Sequence, residues 1–451
     1  MPGACLVLYL IARSGDRQVE CRALMLRRFL ETNITKTMLK VGLEMHTGPS
    51  ILIIVQNLPV PFDRRVWQEA VSLRRAGFGV TVICPKKKMY TKSAEQLEGV
   101  QIFRYSMLCD ADRATFAFFI EFIYCWVATF CLALKAYIHQ PFQAIHACNP
   151  PDTYFALALL FRPLGIKFIF DHHDLCPEMY LAKGQARKGL LYRGLLLLER
   201  LTLRTADAVI AVNQSHREIA MRRDKIEGDK ITIVRSGPPR FWSEIQAFRN
   251  ECKKGRQFLV VFLGEMGSQD GIDYLLRAIR HYADTYPREV LFTLIGGGPE
   301  QHRMVEMAHQ LRLDEWVTFT GRVTEEKILW QYLATADLCI APDPFTEYGD
   351  LSTTNKIIEY LAFGKPVVAF DLTEHRRTAD DAAEYVLIND HIELSIATHS
   401  LLMDEKRRQD MGRRGRRRFR DRLAWENSER ELIALYSRLL LTEETLSVTV
   451  G

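Results

Sequence analysis

The sequence is short of several things. Its ten cysteines form no C-x-x-C pair and no dense cluster, so neither a zinc knuckle nor a disulfide framework is indicated. Net charge is only +5 over 451 residues, far from the basic excess of a dedicated nucleic-acid binder. No G-x-G-x-x-G fingerprint is present: after Gly296-Gly297-Gly298-Pro299-Glu300 the place of the third glycine is Gln301, which disfavours dinucleotide redox chemistry. The apolar run Cys5 to Ala12 has no basic residue before it and makes a poor secretory signal; with reduced, mostly buried thiols, it implies a cytoplasmic protein. Residues 1–48 carry no strand-then-helix rhythm and are expected to be a disordered extension.

What is present is length and rhythm. With 48% hydrophobic residues the chain can bury two cores of roughly 200 residues each. ILIIV (51–55) reads as a buried strand, Arg64 to Ala76 as a helix and VTVIC (80–84) as the next strand, with further strand-like runs at Ala144–His146, Lys167–Phe170 and Ala208–Val212. A second series opens at FLVVFLG (258–264), with a helix near Gly271–His281, then VLFTLIG (290–296), VTFTG (317–321), DLCIAP (337–342) and PVVAF (366–370). Such alternation implies an α/β fold of two mainly parallel, Rossmann-like domains facing each other across a cleft. Ser236-Gly237-Pro238-Pro239 suits a linker, giving domains at 49–240 and 241–418 and a C-terminal helix and tail at 419–451.

Two stretches bear on membranes. Ala114 to Ile138 is about long enough to span a bilayer, yet Glu121 and Lys135 interrupt it, so a buried or interfacial amphipathic helix is expected. From Lys406 to Arg422 ten of seventeen residues are Lys or Arg, read as a solvated helix face, with contact to anionic lipid headgroups as the alternative. Asp110-Ala111-Asp112 is a poor metal candidate, because it precedes the apolar helix and follows no clear core strand.

The most specific segment runs from Ser352 to Val368. Hydroxyl and amide residues at 352–355 suit a helix start, whose unpaired N–H groups and positive dipole end make a site for a diphosphate. One turn on, Glu359 can offer two acceptor oxygens to vicinal ribose hydroxyls. Gly364 then ends the helix and Pro366 opens the next strand. This helix, its acidic residue and Gly364-Lys365-Pro366-Val367-Val368 resemble the donor-binding signature of family 4 glycosyltransferases, which are retaining GT-B enzymes.

The resemblance implies a ribose contact at Glu359, a diphosphate held around Thr354, Asn355 and Lys356, and glycine loops at Gly264, Gly267 and Gly298 beside the donor. It has departures. A glutamate is usual eight residues ahead of Glu359, where this chain has Leu351, so Asp343, Glu347 or Asp350 would have to substitute. Glu265 and Asp270 stand where an arginine and a lysine are common, leaving Arg235, Arg322 or Lys356 to supply positive charge. In the first half, Phe170-Asp171-His172-His173-Asp174 ends a strand; alternation of side chains argues against a metal site, and the resemblance puts His173 and Asp174 over the donor sugar as catalytic candidates. His146 and Asn149, in the loop Ala144 to Asp152, and Arg65, beside Arg64 and Trp67, are the acceptor-side candidates. The implied activity is transfer of a hexosyl group from a nucleotide sugar, UDP-linked in preference to GDP-linked, to a glycan or lipid-linked acceptor. No metal or cofactor and no nucleic acid is expected, and the protein would sit in the cytoplasm or at the inner face of the plasma membrane. A GT-B nucleotide-sugar epimerase and a non-catalytic donor-binding scaffold are the rival readings.

Overall fold

The computed structural model describes residues 48–87, 89–107, 115–182 and 188–441, and over 115–120 the backbone alone. The extension up to residue 47, Asp110-Ala111-Asp112 and the tail beyond 441 lie outside the described residues.

The first domain contains β1 (Ser50–Ile54), α1 (Arg64–Arg75), β2 (Gly79–Pro85), β3 (Ala94–Leu97), β4 (Val100–Tyr105), α2 (Thr115–His139), β5 (Ala144–Cys148), α3 (Phe155–Phe161), β6 (Lys167–His172), α4 (Cys176–Ala182), α5 (Leu190–Thr205), β7 (Ala208–Ala211), α6 (Gln214–Arg223) and β8 (Ile231–Ile233). The strand order is β3-β4-β2-β1-β5-β6-β7-β8, parallel except for β3 against β4. Every residue of β1 is buried, as expected for a strand covered on both faces. Ile51 and Ile53 face a core shared with α1, while Leu52 and Ile54 face one shared with α2 and α3, the two-residue alternation of a strand. Asp63 starts α1 by accepting the Val66 amide at 3.1 Å, and Val66, Ala70 and Leu73 form its buried stripe.

The second domain repeats the scheme with β9 (Phe258–Leu263), α7 (Ile272–Thr285), β10 (Val290–Ile295), α8 (Gln301–Gln310), β11 (Val317–Gly321), α9 (Glu326–Thr335), β12 (Leu338–Ala341), α10 (Glu347–Leu351), α11 (Asn355–Ala362), β13 (Val367–Phe370), α12 (Thr373–Ala379), β14 (Ala383–Val386), α13 (His391–Met403) and α14 (Glu405–Arg418). Its strands run β11-β10-β9-β12-β13-β14, all parallel. Val260 and Phe262 pack on α7 and α13, and Leu259 and Val261 on α9 and α11. Pro299 lies in the turn ahead of α8, which starts only at Gln301, so it does not occupy that helix's first turn.

The chain then returns to the first domain. Helix α15 (Trp425–Leu440) buries Trp425, Leu432, Leu435 and Tyr436 in the α1 side of the first core. The return crosses the outgoing linker: the Trp425 amide donates to Pro238 O at 3.1 Å, and a Cβ on Gly237 would come within 2.7 Å of Leu423 O, so this crossing requires glycine. The basic stretch before it is not simply a solvated face. Arg416 donates to Phe363 O and Arg418 to Thr378 O, each at 2.8 Å, while Arg407 pairs with Glu384 and Arg414 with Asp381. These side chains fasten α14 to its own domain.

Tyr436 Oη meets His146 Nδ1 at 2.7 Å in the buried core. Tyr436→Phe is expected to lower unfolding free energy by about 1–3 kcal/mol, seen as a lower urea midpoint at unchanged slope. An unchanged midpoint would show that the bond contributes nothing.

Candidate active site

In open parallel sheets ligands gather beyond the carboxyl ends of the strands, where the order reverses. Here the reversals fall between β1 and β5 and between β9 and β12. The two carboxyl edges meet across the cleft: Tyr348 Oη in α10 donates to Asp174 Oδ1 at 2.8 Å, and Asn213 Nδ2 donates to Leu351 O at 2.9 Å.

On the first-domain side a buried guanidinium organises the loop after β6. Arg65 Nη2 lies 2.9 Å from Asp171 Oδ1 and 3.1 Å from Glu69 Oε1, and its Nη1 donates to Val234 O at 2.8 Å. Asp171 Oδ2 also meets His146 Nε2 at 3.2 Å and makes a short contact with His173 Nε2. Burial alone would raise the Asp171 carboxyl, but Arg65, with His173 and His146, holds it well below the usual carboxylate range. Burial pushes Glu69 well above its ordinary value, with Arg65 as a partial offset. His173 Nε2 is also 2.8 Å from Arg65 Nε. Protonated, that nitrogen donates to Asp171; unprotonated, it accepts from Arg65. His146, Cys148 and Asp171, and likewise Glu69, Asp171 and His173, bring ligand atoms together at metal-like spacing. Because β6 ends at His172, Asp171 and His173 do converge, which alternation along an extended strand had argued against. Arg65 supplies the positive charge there.

Three acceptor-side expectations are corrected. His146 is fully buried with both ring nitrogens engaged, by Tyr436 and Asp171. Asn149 is buried too: its Oδ1 accepts the His173 and Asp174 amides at 2.6 and 3.0 Å, and its Nδ2 donates to Asp174 O at 2.7 Å. It shapes the catalytic-candidate loop and does not face an acceptor. Arg65 is directed inward by the contacts just described.

On the second-domain side Lys356, the second residue of α11, is buried under the loop after β9. Its Nζ lies 2.6 Å from Asp343 Oδ1, 3.6 Å from Asp270 Oδ1 and 5.0 Å from the centre of the Phe262 ring. A Cβ on Gly264 would stand 3.0 Å from Lys356 Cε, a close packing of the loop on the lysine stem, and one on Gly298 would stand 2.6 Å from Met266 O, so the Gly298 loop needs glycine for this approach. The Gly267 amide donates to Asp270 Oδ2 at 3.0 Å. Thr354 caps α11, and its Oγ1 has no hydrogen-bond partner among the described residues, while Asn355 beside it is exposed. Glu359 lies one turn on, half-buried; burial pushes its carboxyl up to about 7 despite the opposing charges of Arg64 and Lys356. Arg64 comes from the first domain, so this carboxylate looks across the cleft.

Other donor-side expectations fare differently. Both oxygens of Asp350 are taken by Thr373, its amide at 2.7 Å and its hydroxyl at 2.8 Å, so Asp350 caps α12 and does not reach a sugar. Asp343 lies beneath Lys356. Glu347 alone of the three proposed substitutes keeps an exposed carboxylate, 3.9 Å from Lys188. Arg235 turns towards Glu374 Oε2 at 3.8 Å and Thr353 Oγ1 at 3.5 Å. Arg322 is exposed, its Cβ 3.8 Å from the place of a Cβ on Gly297, with no acidic partner among the described residues.

The comparisons decide the family. Residues 63–237 match the model described as "Glycosyl transferase 4-like domain" and residues 257–404 the one described as "Glycosyl transferases group 1". The chain belongs to the family 4-like GT-B glycosyltransferases. This glycosyltransferase is 28% identical over 186 residues to a D-inositol 3-phosphate glycosyltransferase of Corynebacterium kroppenstedtii, a match covering 40% of each chain and so well under two thirds of that relative. In fold it is similar to sucrose-phosphate synthase of Thermosynechococcus elongatus, with TM-score 0.68 and 18% identity over 87% of this chain and 99% of that one. It is likewise similar to Anabaena HepE solved with UDP and glucose, with TM-score 0.65 and 15% identity over 86% and 100%.

Several polar residues of the glycosyltransferase's cleft escaped sequence reasoning. Tyr348, which reaches Asp174, sits in the five-residue helix α10, too short to show a periodic pattern. Glu374 is fully buried and accepts from Ser215 Oγ at 2.7 Å and Thr353 Oγ1 at 3.2 Å, tying the two domains together. Glu69 lies four residues after Arg65, a helical ion-pair spacing that was available as a signal.

Arg65→Met would leave Asp171 and Glu69 buried without their cation. The expected loss is about 3–5 kcal/mol of unfolding free energy, measurable by denaturant titration. A loss under about 1 kcal/mol would place Arg65 in the class of surface ion pairs.

Proposed function

We propose that the protein transfers a hexosyl group from a nucleotide sugar, in this reading a UDP-sugar, to a glycan or lipid-linked acceptor in glycoconjugate assembly, with retention of anomeric configuration. The observation that carries the reading is Lys356, buried at the start of α11 beneath Gly264, at the point where the second sheet's strand order reverses. A helix start supplies unpaired amides and the positive end of a dipole, and a diphosphate fits both. Asn355 is exposed beside the helix start, Gly267 and Gly298 let the diphosphate approach the backbone, and Arg322 offers an exposed cation. Glu359 takes the ribose hydroxyls. The UDP and glucose bound in the Anabaena structure support this choice of donor class.

In this reading the bond from the sugar to the leaving diphosphate breaks as the acceptor oxygen bonds on the same face, and a diphosphate oxygen receives the acceptor's proton. Lys356 and the α11 amides stabilise the charge that develops on the leaving group, a preorganised contribution of the kind that dominates such reactions. His173 and Asp174 orient the donor sugar, the latter held by Tyr348. The cationic work falls to Lys356 and Arg322, so no metal or cofactor is called for.

One observation favours a second reading. Lys356 is engaged by Asp343 and lies near Asp270, and Glu265 is exposed on the same loop, so the diphosphate meets more negative charge than the resemblance implies. A donor-binding scaffold that turns nothing over would tolerate this.

Purified protein incubated with UDP-, GDP- and ADP-sugars, with and without membrane lipid extract, separates the two. Lipid-dependent release of UDP that falls at least about tenfold in Glu359→Ala, a loss of roughly 1.4 kcal/mol or more, is expected. Nucleotide binding without release or transfer on a broad acceptor panel would establish the scaffold.

The raised Glu359 carboxyl gives a second check. Ribose hydroxyls donate to the ionised form, so binding pulls its pKa down and UDP affinity should fall as pH drops through about 7. The expected weakening is about tenfold per pH unit at most, and Glu359→Gln should remove the dependence. A wild-type affinity that stays flat from pH 8 to 6 would count against the ribose contact.

A further inference from the structure

Helices α2, α3 and α5 cover one face of the first sheet, sending Cys125, Ala133, Leu157, Phe161 and Leu203 into a shared core. Their outward sides are apolar as well, where a solvated helix would be polar. On α2, Ile123, Val127 and Ile138 are 62%, 49% and 53% exposed, at helical spacing with exposed Cys131 between them. Leu159 and Leu160 on α3 are exposed, as are Leu190, Leu197 and Leu201 on α5. A hollow of about 320 Å³ at the seam is lined by Phe122, Trp126, Phe155 and Leu198.

The exposed charge around these side chains is mainly positive. Among the described residues the acidic groups on the three helices are Glu121, half-buried, and Glu199, fully buried against Arg223. Lys135, Arg193, Arg200 and Arg204 are exposed, and Arg193 and Arg204 have no acidic partner among the described residues. The face also reaches the cleft, because α2 follows β4 and α3 follows β5 at the carboxyl edge of the sheet.

We propose that this face docks on an anionic lipid bilayer, its leucines entering the acyl boundary and its arginines meeting the headgroups. This deepens the transfer reading and rests on it only for the direction from which a lipid-linked acceptor arrives. A second copy of the chain is the poorer occupant, since two-fold pairing would set the basic rims against each other. The arginine-rich α14 is not the surface, because Arg407, Arg414, Arg416 and Arg418 are spent on the second domain.

Flotation of the full chain, without donor, on vesicles of phosphatidylglycerol and phosphatidylcholine tests this. Binding to anionic vesicles about tenfold above neutral ones is expected, weakened by salt. Val127→Glu with Leu197→Glu should reduce it about tenfold while leaving Tm and UDP binding at wild-type values; Lys406→Glu with Arg417→Glu should leave it unchanged. No anionic preference, unimpaired binding in the first pair, or loss in the second would overturn the proposal. So would light scattering that shows the first pair dissociating a dimer with no vesicle binding in the wild type. Vesicle binding without sugar transfer would leave this surface standing while removing the transfer reading; transfer without vesicle binding would do the reverse.

Discussion

The cleft depends on one buried cation. Arg65 sits where the first helix, the end of β6 and the linker to the second domain converge, and its guanidinium ion-pairs with Glu69 and hydrogen-bonds to Asp171 and Val234 O. Asp171 could not stay ionised at this depth without it, because it would pay the cost of an uncompensated charge. With Arg65 in place, Asp171 stays ionised and positions His173, and the linker leaves the first domain along a fixed path. The loop that the donor sugar would meet and the segment that sets the domains' mutual position are thereby parts of one electrostatic unit.

The second domain solves a related problem differently. Lys356 is inserted beneath a glycine loop and balanced by Asp343, so the positive charge is fixed before any ligand arrives. Preorganisation of this kind costs nothing at the moment of binding. Its strength is tempered by Asp270 and Glu265, a local balance that differs from the pattern common in relatives of this type. Between the domains, hydrogen bonds donated by Tyr348 and Asn213 and one accepted by Glu374 from Ser215 bring the carboxyl edges into contact, and α15 closes the circuit by packing a C-terminal helix into the first core.

Legibility followed the range of the interactions. The strands of both sheet centres were visible because burial on both faces leaves continuous apolar runs, such as ILIIV and FLVVFL. Strand β3, half exposed, β8 and β14, short and partly buried, and β4, mostly buried but interrupted by Gln101 and Arg104, carry no such run and went unread. The start and end of α11 were legible because the run of hydroxyl and amide residues at 352–355 and Gly364, with φ of 63°, are local signals. His146, Asn149 and Asp350 were misplaced for the opposite reason. Their engagement depends on partners outside the local sequence, such as Thr373 for Asp350 and Tyr436, 290 residues beyond His146. A polar residue at a strand's carboxyl end looks the same in sequence whether it touches a ligand or braces the loop that does.

The most direct measurement is a crystal structure with UDP bound. The account predicts the diphosphate at the start of α11, within hydrogen-bond reach of the amides around Asn355 and of Lys356 Nζ, with the ribose hydroxyls on Glu359. UDP lodged away from the β9 and β12 edge, or bound with its ribose clear of Glu359, would contradict it.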